Sequence, residues 1–384
     1  YEVMPWPDRI YQGLYRIAGT DQKERIPRSY STQMQVMINT LNDIRTSDKQ
    51  ISGTHGIGVL MANSLMFQRF PDHNGYDDPQ FSSFYGQTLP LLKRGIPVEL
   101  VHMENTPFKD TFNGLQVLVM SYSNMKPMKS EYHNYLADWV KKGGTLVYCG
   151  EDVDPYQTVL EWWNTEGNAY KAPSEHLFEA MGLSRNPGDG TYRFGKGTVI
   201  VMREDPKHFV LKGGNDRKYF ETIASAYESK TGKKIEIKNN FMVERGPYTI
   251  AAVMDESSSK EPLKLSGLYI DLFDKDLPIL TVKQINPGEQ GYLYDLNKVL
   301  GKVKAKVLCG ASRIYDEKVG KQSYSFVAKS PLHTTNVSRV LLPRKPGKVL
   351  VNGKAEQPEW DESSKTLLLS FENDPAGVNV SIEW

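Results

Sequence analysis

The chain has 384 residues, 39% hydrophobic and 24% charged, which is the composition of a globular protein of two or three domains. Its 47 Lys and Arg residues nearly balance its 46 Asp and Glu residues, and the formal charge of +1 argues against a nucleic-acid binder that relies on bulk positive charge. No apolar run approaches the ~20 residues of a membrane span, and two cysteines are too few for a disulfide scaffold.

The first 55 residues show little regular pattern. The chain begins at Tyr1 without the basic and apolar regions of a signal peptide, so we expect a processed protein or a piece of a longer one. Prolines at positions 5, 7 and 27 interrupt regular structure. Apolar residues at helical spacing predict one amphipathic helix over residues 31–44, and the following SDKQISGTHG is expected to be a polar linker.

From Gly56 to residue 235, short apolar runs alternate with helical patterns. The predicted helix in SEYHNYLADWVKKGG has Ser130 as its N-cap and ends at Gly143. Apolar strands joined through helices are typical of a parallel sheet covered on both faces, so the sequence predicts a flavodoxin-like α/β domain over residues 56–235. The predicted strands are IGVLMANS, PVELVHME, LQVLVMSYS, TLVYCGE and GTVIVMRE.

Residues 236–384 consist almost entirely of predicted strands separated by turn signals. Asn352 and Gly353 lie between two such strands and form the best hairpin turn in the chain. The pattern predicts one or two antiparallel β-sandwiches.

Motifs for metals and cofactors are missing from the sequence. The seven histidines show no HxH or HExxH spacing and no pairing with cysteine, so we expect no metal site. His133 is expected to lie on the surface of its helix. No glycine-rich motif follows a strand, so no nucleotide cofactor is expected either.

Cys149 ends the fourth predicted strand, where an α/β sheet presents catalytic groups. Its neighbours Val147 and Tyr148 are too large for a nucleophile elbow. The next helix is predicted to begin at Pro155 with Asp154 as N-cap, several residues too late to lower the pKa of the thiol. A buried strand-end cysteine is therefore favoured over a nucleophile.

Three carboxylates and three aromatic side chains follow the same strand. They are Glu151, Asp152, Asp154, Trp162, Trp163 and Tyr170. An aromatic face beside carboxylates suits a sugar, because the ring stacks on C–H groups and the acids accept hydroxyl hydrogen bonds. On a helix, the two adjacent tryptophans would point ~100° apart, one exposed and one packed. Carbohydrate contact, an interface patch, and plain packing with helix capping remain open as interpretations.

The N-terminal YEVMPWP places Glu2 close to Trp6. Glycoside hydrolysis uses two carboxylates ~5–10 Å apart, and the sequence offers no way to pair Glu2 with a second one. Glu2 is therefore a weak catalytic candidate, and Trp6 is a candidate carbohydrate contact.

Three stretches of the predicted α/β domain carry a family resemblance. They are GIGVLMANSLMFQRFP, FYGQTLPLLKRGIPVELVHME and LQVLVMSYSNMKPMKSEYHNYLADWVKKGGTLVYCGE. In the order of their predicted helices and strands and in the residues that form them, residues 56–205 resemble the class I glutamine-amidotransferase-like module of large glycoside hydrolases. This module is known as the β-galactosidase trimerisation domain. In that family the module follows a TIM barrel, is non-catalytic, helps to build the oligomer and lends loops to the active-site rim. True amidotransferases carry a Cys–His–Glu triad, of which this chain matches only the cysteine position, Cys149.

The resemblance implies that residues 1–55 are the tail of an upstream TIM barrel and a linker, and that residues 236–384 are a C-terminal sandwich. It also implies a homo-oligomer, an oligosaccharide or polysaccharide ligand, a periplasmic or secreted location, and kinship with glycoside hydrolases of gut Bacteroidetes. The first hypothesis is therefore the non-catalytic C-terminal region of a glycoside hydrolase. The alternatives are a stand-alone carbohydrate-binding or scaffolding protein and a cysteine amidohydrolase that uses Cys149.

Overall fold

A computed structural model describes residues 11, 13–44, 49–67, 81–211, 213 and 215–384. These residues fall into two compact units. The α/β unit comprises the described residues of Ser52–Phe241 together with Glu256–Lys260. The β unit comprises those of Tyr1–Ile51, Met242–Asp255 and Glu261–Trp384. Within the described ranges, no helix combines the length and the apolar character that crossing a membrane requires.

Helices are concentrated in the α/β unit. In chain order the helices are α1 (Arg28–Asp43), α2 (Ser64–Phe67), α3 (Ser82–Leu92), α4 (Glu131–Lys141), α5 (Pro173–Ala180), α6 (His208–Leu211) and α7 (Arg217–Thr231). The strands up to the end of the α/β sheet are β1 (Leu14–Arg16), β2 (Lys23–Arg25), β3 (Lys49–Ile51), β4 (Ile57–Met61), β5 (Glu99–His102), β6 (Val117–Met120), β7 (Thr145–Cys149), β8 (Gly190–Phe194) and β9 (Gly197–Met202).

The remaining strands belong chiefly to the β unit. They are β10 (Asn240–Arg245), β11 (Tyr248–Val253), β12 (Leu263–Asp271), β13 (Ile279–Ile285), β14 (Gln290–Asp295), β15 (Lys306–Gly310), β16 (Arg313–Val319), β17 (Ser323–Lys329), β18 (Thr335–Leu341), β19 (Lys348–Val351), β20 (Lys354–Glu356), β21 (Glu359–Asp361), β22 (Thr366–Glu372) and β23 (Val378–Glu383).

The sheet of the α/β unit has the strand order β5-β4-β6-β7-β9-β8. The five strands predicted from apolar runs are present and pair in parallel. The edge strand β8 was not predicted, and it pairs antiparallel with β9. Because parallel strands end at a common edge, the residues that follow β6, β7 and β9 meet there.

Alternating side chains of this sheet enter two separate hydrophobic cores. In β6, Leu118 and Met120 pack with apolar residues of α4 and α5. Val117 and Val119 of the same strand point to the opposite face, which packs against α3, α6 and α7. Successive side chains of a strand point to opposite faces of the sheet, so one apolar run contributes to both cores. The side chain of Cys149 lies in the second core.

In the β unit, strands β1 and β2 form a two-stranded antiparallel sheet, and the predicted amphipathic helix follows as α1. Within SDKQISGTHG, which is predicted to be a polar linker, Lys49–Ile51 instead form strand β3, which pairs antiparallel with β10. Strands β3 and β10–β14 form one six-stranded sheet.

Two further antiparallel sheets complete the β unit, as predicted. One has the order β15-β18-β22-β21 and the other β16-β17-β23-β19-β20. Buried residues of both sheets share one hydrophobic core. The predicted turn is confirmed between β19 and β20, where Asn352 (φ 47°) and Gly353 (φ 79°) both have the left-handed backbone that such a hairpin requires.

Candidate functional site

The residues after β7 place two of the predicted carboxylates at the carboxyl edge of the α/β sheet. Asp152 is held by three donors: Nη1 of Arg203 at 2.6 Å, Oγ of Ser174 at 2.7 Å, and Oη of Tyr148. The Arg203 guanidinium also lies 5.1 Å from the centroid of the Phe178 ring. Three hydrogen bonds therefore engage the Asp152 carboxylate within the fold.

Asp154 is held just as completely. Its carboxylate accepts from Nζ of Lys126 at 2.7 Å, from Nε2 of Gln157 at 2.9 Å and from the backbone N–H of Tyr156 at 3.1 Å. The last of these bonds confirms the predicted N-cap, although the element that follows is a short 3₁₀ turn, Pro155–Thr158. Burial lowers the pKa of Lys126, and the charge of Asp154 opposes that shift. The two side chains form a buried ion pair.

Cys149 lies beneath this edge and is fully buried. Burial raises the pKa of its thiol, and the negative charges of Glu204 and Asp189 raise it further. In the described part of the chain, no hydrogen bond joins the thiol to an imidazole. The arrangement is the opposite of an activated nucleophile, which needs a base and a lowered pKa.

The adjacent tryptophans do not lie on a helix. They follow the 3₁₀ turn in an irregular segment. Trp163 is buried and donates its indole N–H to the carbonyl of Gln157 at 3.1 Å. Trp162 is half-buried and donates to the carbonyl of Pro127 at 2.8 Å. The Trp163 bond therefore stabilises the loop itself, and the Trp162 bond ties the loop to the segment after β6.

His133 was predicted to lie on the surface, and this is wrong: the structure buries it completely. Its Nε2 lies 2.6 Å from Oη of Tyr122, and its Nδ1 lies 2.8 Å from Nδ1 of His176. Burial lowers the pKa of both imidazoles; for His133 the neighbouring His176 lowers it further. Since one proton must lie between the two Nδ1 atoms, the pair is not doubly charged.

Tyr170 and Trp162 meet around the second member of this pair. Their rings lie 5.4 Å and 5.3 Å from that of His176, centroid to centroid. The Tyr170 hydroxyl donates to Glu179, and the guanidinium of Arg185 lies 4.5 Å from the centre of the phenol ring. The structure thus brings two predicted aromatic candidates together, but around a histidine that the sequence analysis did not single out.

Four exposed side chains of these loops are apolar, beside exposed polar ones such as Thr158 and Glu161. Val153 is 74% exposed, Leu160 is 80% exposed, and Met128, in the segment after β6, is 61% exposed. Glu151 is exposed among them. We call Met128, Val153, Val159 and Leu160 the apolar rim.

Two predicted residues, Glu2 and Trp6, lie outside the described residues. A search of the described residues finds no cluster of three or more His, Cys, Asp or Glu side chains that could hold a metal ion.

Comparison with known proteins gives only distant structural neighbours. No protein-family model matches the chain, and no curated protein matches it. A β-galactosidase from Bacillus circulans sp. alkalophilus is 11% identical, with a TM-score of 0.40 over 68% of this chain and 43% of its own. A β-galactosidase from the haloarchaeon Halorubrum lacusprofundi is 14% identical, with a TM-score of 0.36 over 63% and 40%. An α-L-fucosidase from Paenibacillus thiaminolyticus is 9% identical, with a TM-score of 0.30 over 87% and 49%. The chain spans less than half the length of each.

Proposed function

We propose that this chain is a non-catalytic region of a glycoside hydrolase, and that its α/β unit serves self-association and shapes the rim of a carbohydrate active site supplied by a TIM barrel. The observation that carries the proposal is the character of the carboxyl edge. Asp152 and Asp154 are paired with Arg203 and Lys126 inside the fold, whereas four exposed apolar side chains form the apolar rim. Such an edge suits contact with another protein surface better than chemistry on a small molecule.

The buried pairs support the absence of catalysis at this edge. A general acid or base must reach a substrate proton, and a nucleophile must be accessible and activated. Asp152 and Asp154 are engaged by Arg203 and Lys126, and the thiol of Cys149 is buried with a raised pKa. The cysteine amidohydrolase is therefore not proposed.

Self-association through a second copy is the part of the proposal that can be tested on the chain itself. Light scattering at about 10 μM should report an oligomer, because apolar surface of this kind is stabilised by burial against a partner. Replacing an apolar-rim residue by a charge, in Leu160→Asp or Val153→Asp, should shift the population toward monomer. These side chains are largely exposed, so the fold should be unaffected.

A matched control comes from the same unit. Ile237 is 51% exposed but lies outside the apolar rim, and Ile237→Asp should leave the oligomer intact. A wild-type chain that is monomeric at this concentration would contradict the proposal, as would dissociation by Ile237→Asp equal to that by Leu160→Asp. The isolated chain should also hydrolyse neither nitrophenyl glycosides nor glutamine.

A further inference from the structure

The β unit contains a cavity of 630 Å³ that has no part in the carboxyl edge described above. It lies between the C-terminal end of α1, strand β15 and the first half of β16. The side chains that define its chemistry are Asn39, Asp43, Lys306, Arg313, Tyr315 and Glu317. Its volume is within the range of small-molecule sites.

The cavity is lined by the carboxylate of Asp43, which a buried tyrosine holds in place. Oη of Tyr248, which is 1% exposed, donates to Oδ2 of Asp43 at 2.8 Å. Burial raises the pKa of Tyr248, so the phenol keeps its proton and remains a donor. The ammonium of Lys306 lies 4.0 Å from Oδ1 of Asp43. Asp43 is thus oriented while it stays half-exposed at the cavity.

A second lining carboxylate, Glu317, is held by a buried phenol in the same way. Tyr324 is fully buried, accepts a hydrogen bond from the backbone N–H of Val307 at 3.1 Å and donates to Glu317. Burial raises the pKa of this tyrosine too. Two carboxylates are therefore each fixed by a buried phenol, which lowers the entropy cost of ordering them around a ligand.

The cavity is also lined by an aromatic ring. Tyr315 is 43% exposed, and Nζ of Lys329 lies 5.5 Å from its centroid. A register shift between Tyr315 and Lys318 interrupts the pairing of β16 with β17, and Asp316 within it has a φ of 52°. Bulges of this kind redirect side chains and are frequent beside binding sites.

The charges of the cavity cancel. Asp43 and Glu317 contribute two negative charges, and Lys306 and Arg313 contribute two positive charges. A strongly anionic or cationic ligand would face as much repulsion as attraction. A neutral molecule rich in hydroxyl groups fits better, since carboxylates accept from hydroxyls, the guanidinium and amide donate to them, and the ring packs on C–H groups.

We propose that this cavity is a binding site for a neutral saccharide of about disaccharide size. Tyr315 supplies the stacking face, and Asp43 and Glu317 accept hydrogen bonds from neighbouring hydroxyls. The site is in the β unit and is independent of self-association through the apolar rim.

The test is calorimetric titration of the full chain with lactose, cellobiose and maltose. At least one of these should bind saturably, and Tyr315→Ala should weaken its affinity about tenfold through the loss of the stacking face. Glu317→Gln keeps the shape of the side chain but removes the charge-assisted acceptor, and we expect a loss of about the same size. Tyr135→Ala, at a tyrosine 38% exposed in the α/β unit, is the matched control and should bind as wild type does.

Three results would overturn the proposal: no saturable binding of any of the three sugars, equal weakening by Tyr135→Ala, or wild-type affinity in both cavity variants. Thermal melts establish that the variants are folded. Light scattering of Tyr315→Ala should match that of wild type, so failure of this site and failure of the proposed oligomer are distinguished.

Discussion

The carboxyl edge of the α/β unit and the cavity of the β unit hold their carboxylates in different ways. At the carboxyl edge of the α/β unit, carboxylates face cations inside the protein, as in the Lys126–Asp154 pair. At the cavity of the β unit, Asp43 and Glu317 each accept a hydrogen bond from a buried phenol and stay exposed, and the nearest cation to Asp43, Lys306, is 4.0 Å away. The difference shows that a carboxylate at the ligand-binding edge of a sheet is not by itself evidence of a site. What matters is whether its hydrogen-bonding capacity is consumed within the fold.

The largest effect is expected from breaking the buried ion pair. Lys126→Met leaves Asp154 buried without its cation, which should lower the free energy of unfolding of the α/β unit by about 3–5 kcal/mol. Adding Asp154→Asn should restore part of that loss, because the amide oxygen can still accept from the N–H of Tyr156. Urea unfolding measures the free energy of unfolding of both variants, and hydrogen exchange of the β7 amides shows whether the loss lies in the α/β unit.

The exposed pair between Lys129 and Glu131 provides the control. Its side chains are 64% and 52% exposed at an N–O distance of 3.4 Å, so Lys129→Met should cost about 0.5 kcal/mol or less. If Lys126→Met lowered the free energy of unfolding by no more than this, the Lys126–Asp154 pair would not be needed for the stability of the fold.

A smaller, pH-dependent effect is expected from the histidine pair. The pKa of His133 lies well below 6.5 in the folded chain, so the unfolded chain binds more protons once the pH falls below that value. Stability is therefore present above pH 6.5 and lost on acidification, by up to about 1.4 kcal/mol per pH unit for each proton excluded. The groups around the pair are Tyr122, Trp162, Tyr170 and Glu179, of which only the last is charged.

Urea unfolding monitored by tryptophan fluorescence at several pH values measures this dependence. His133→Gln should flatten the slope below pH 6.5, whereas His208→Gln, in the same unit but outside the pair, should not. An unchanged slope in His133→Gln would show that the acid sensitivity arises elsewhere.

The smallest effect on stability is expected at the cavity. Glu317→Gln replaces one acceptor of the Tyr324 hydroxyl by another, so it should cost about 1 kcal/mol or less. The same substitution should weaken saccharide binding about tenfold. A small loss of stability together with weaker binding is the result expected of a residue that serves binding more than folding. A large loss of stability with unchanged binding would contradict this and show that Glu317, like Asp152 and Asp154, serves the fold.

Local patterns could be predicted from the sequence, and pairings between distant segments could not. The turn at Asn352 and Gly353 was predictable because two residues determine it. Strand β3 was missed because it is only three residues long and its partner, β10, lies about 190 residues further along the chain. Strand β8 was missed because GTYRF has no apolar run.

The candidate site shows the same division. The N-cap at Asp154 was predictable from its neighbour in sequence, whereas the partner of Asp152, Arg203, is 51 residues away. The burial of His133 could have been predicted, because His133, Leu136, Ala137 and Val140 recur at the spacing of one helical face and all are buried.

The central claim is that the α/β unit performs no chemistry of its own, and the reactivity of Cys149 tests it most directly. Labelling of the native chain with a thiol reagent, followed by mass spectrometry of the Cys149 peptide, should show reaction far slower than that of free cysteine until the chain is unfolded. Labelling of Cys149 in the native chain faster than that of free cysteine would reveal an activated sulfur and contradict the account.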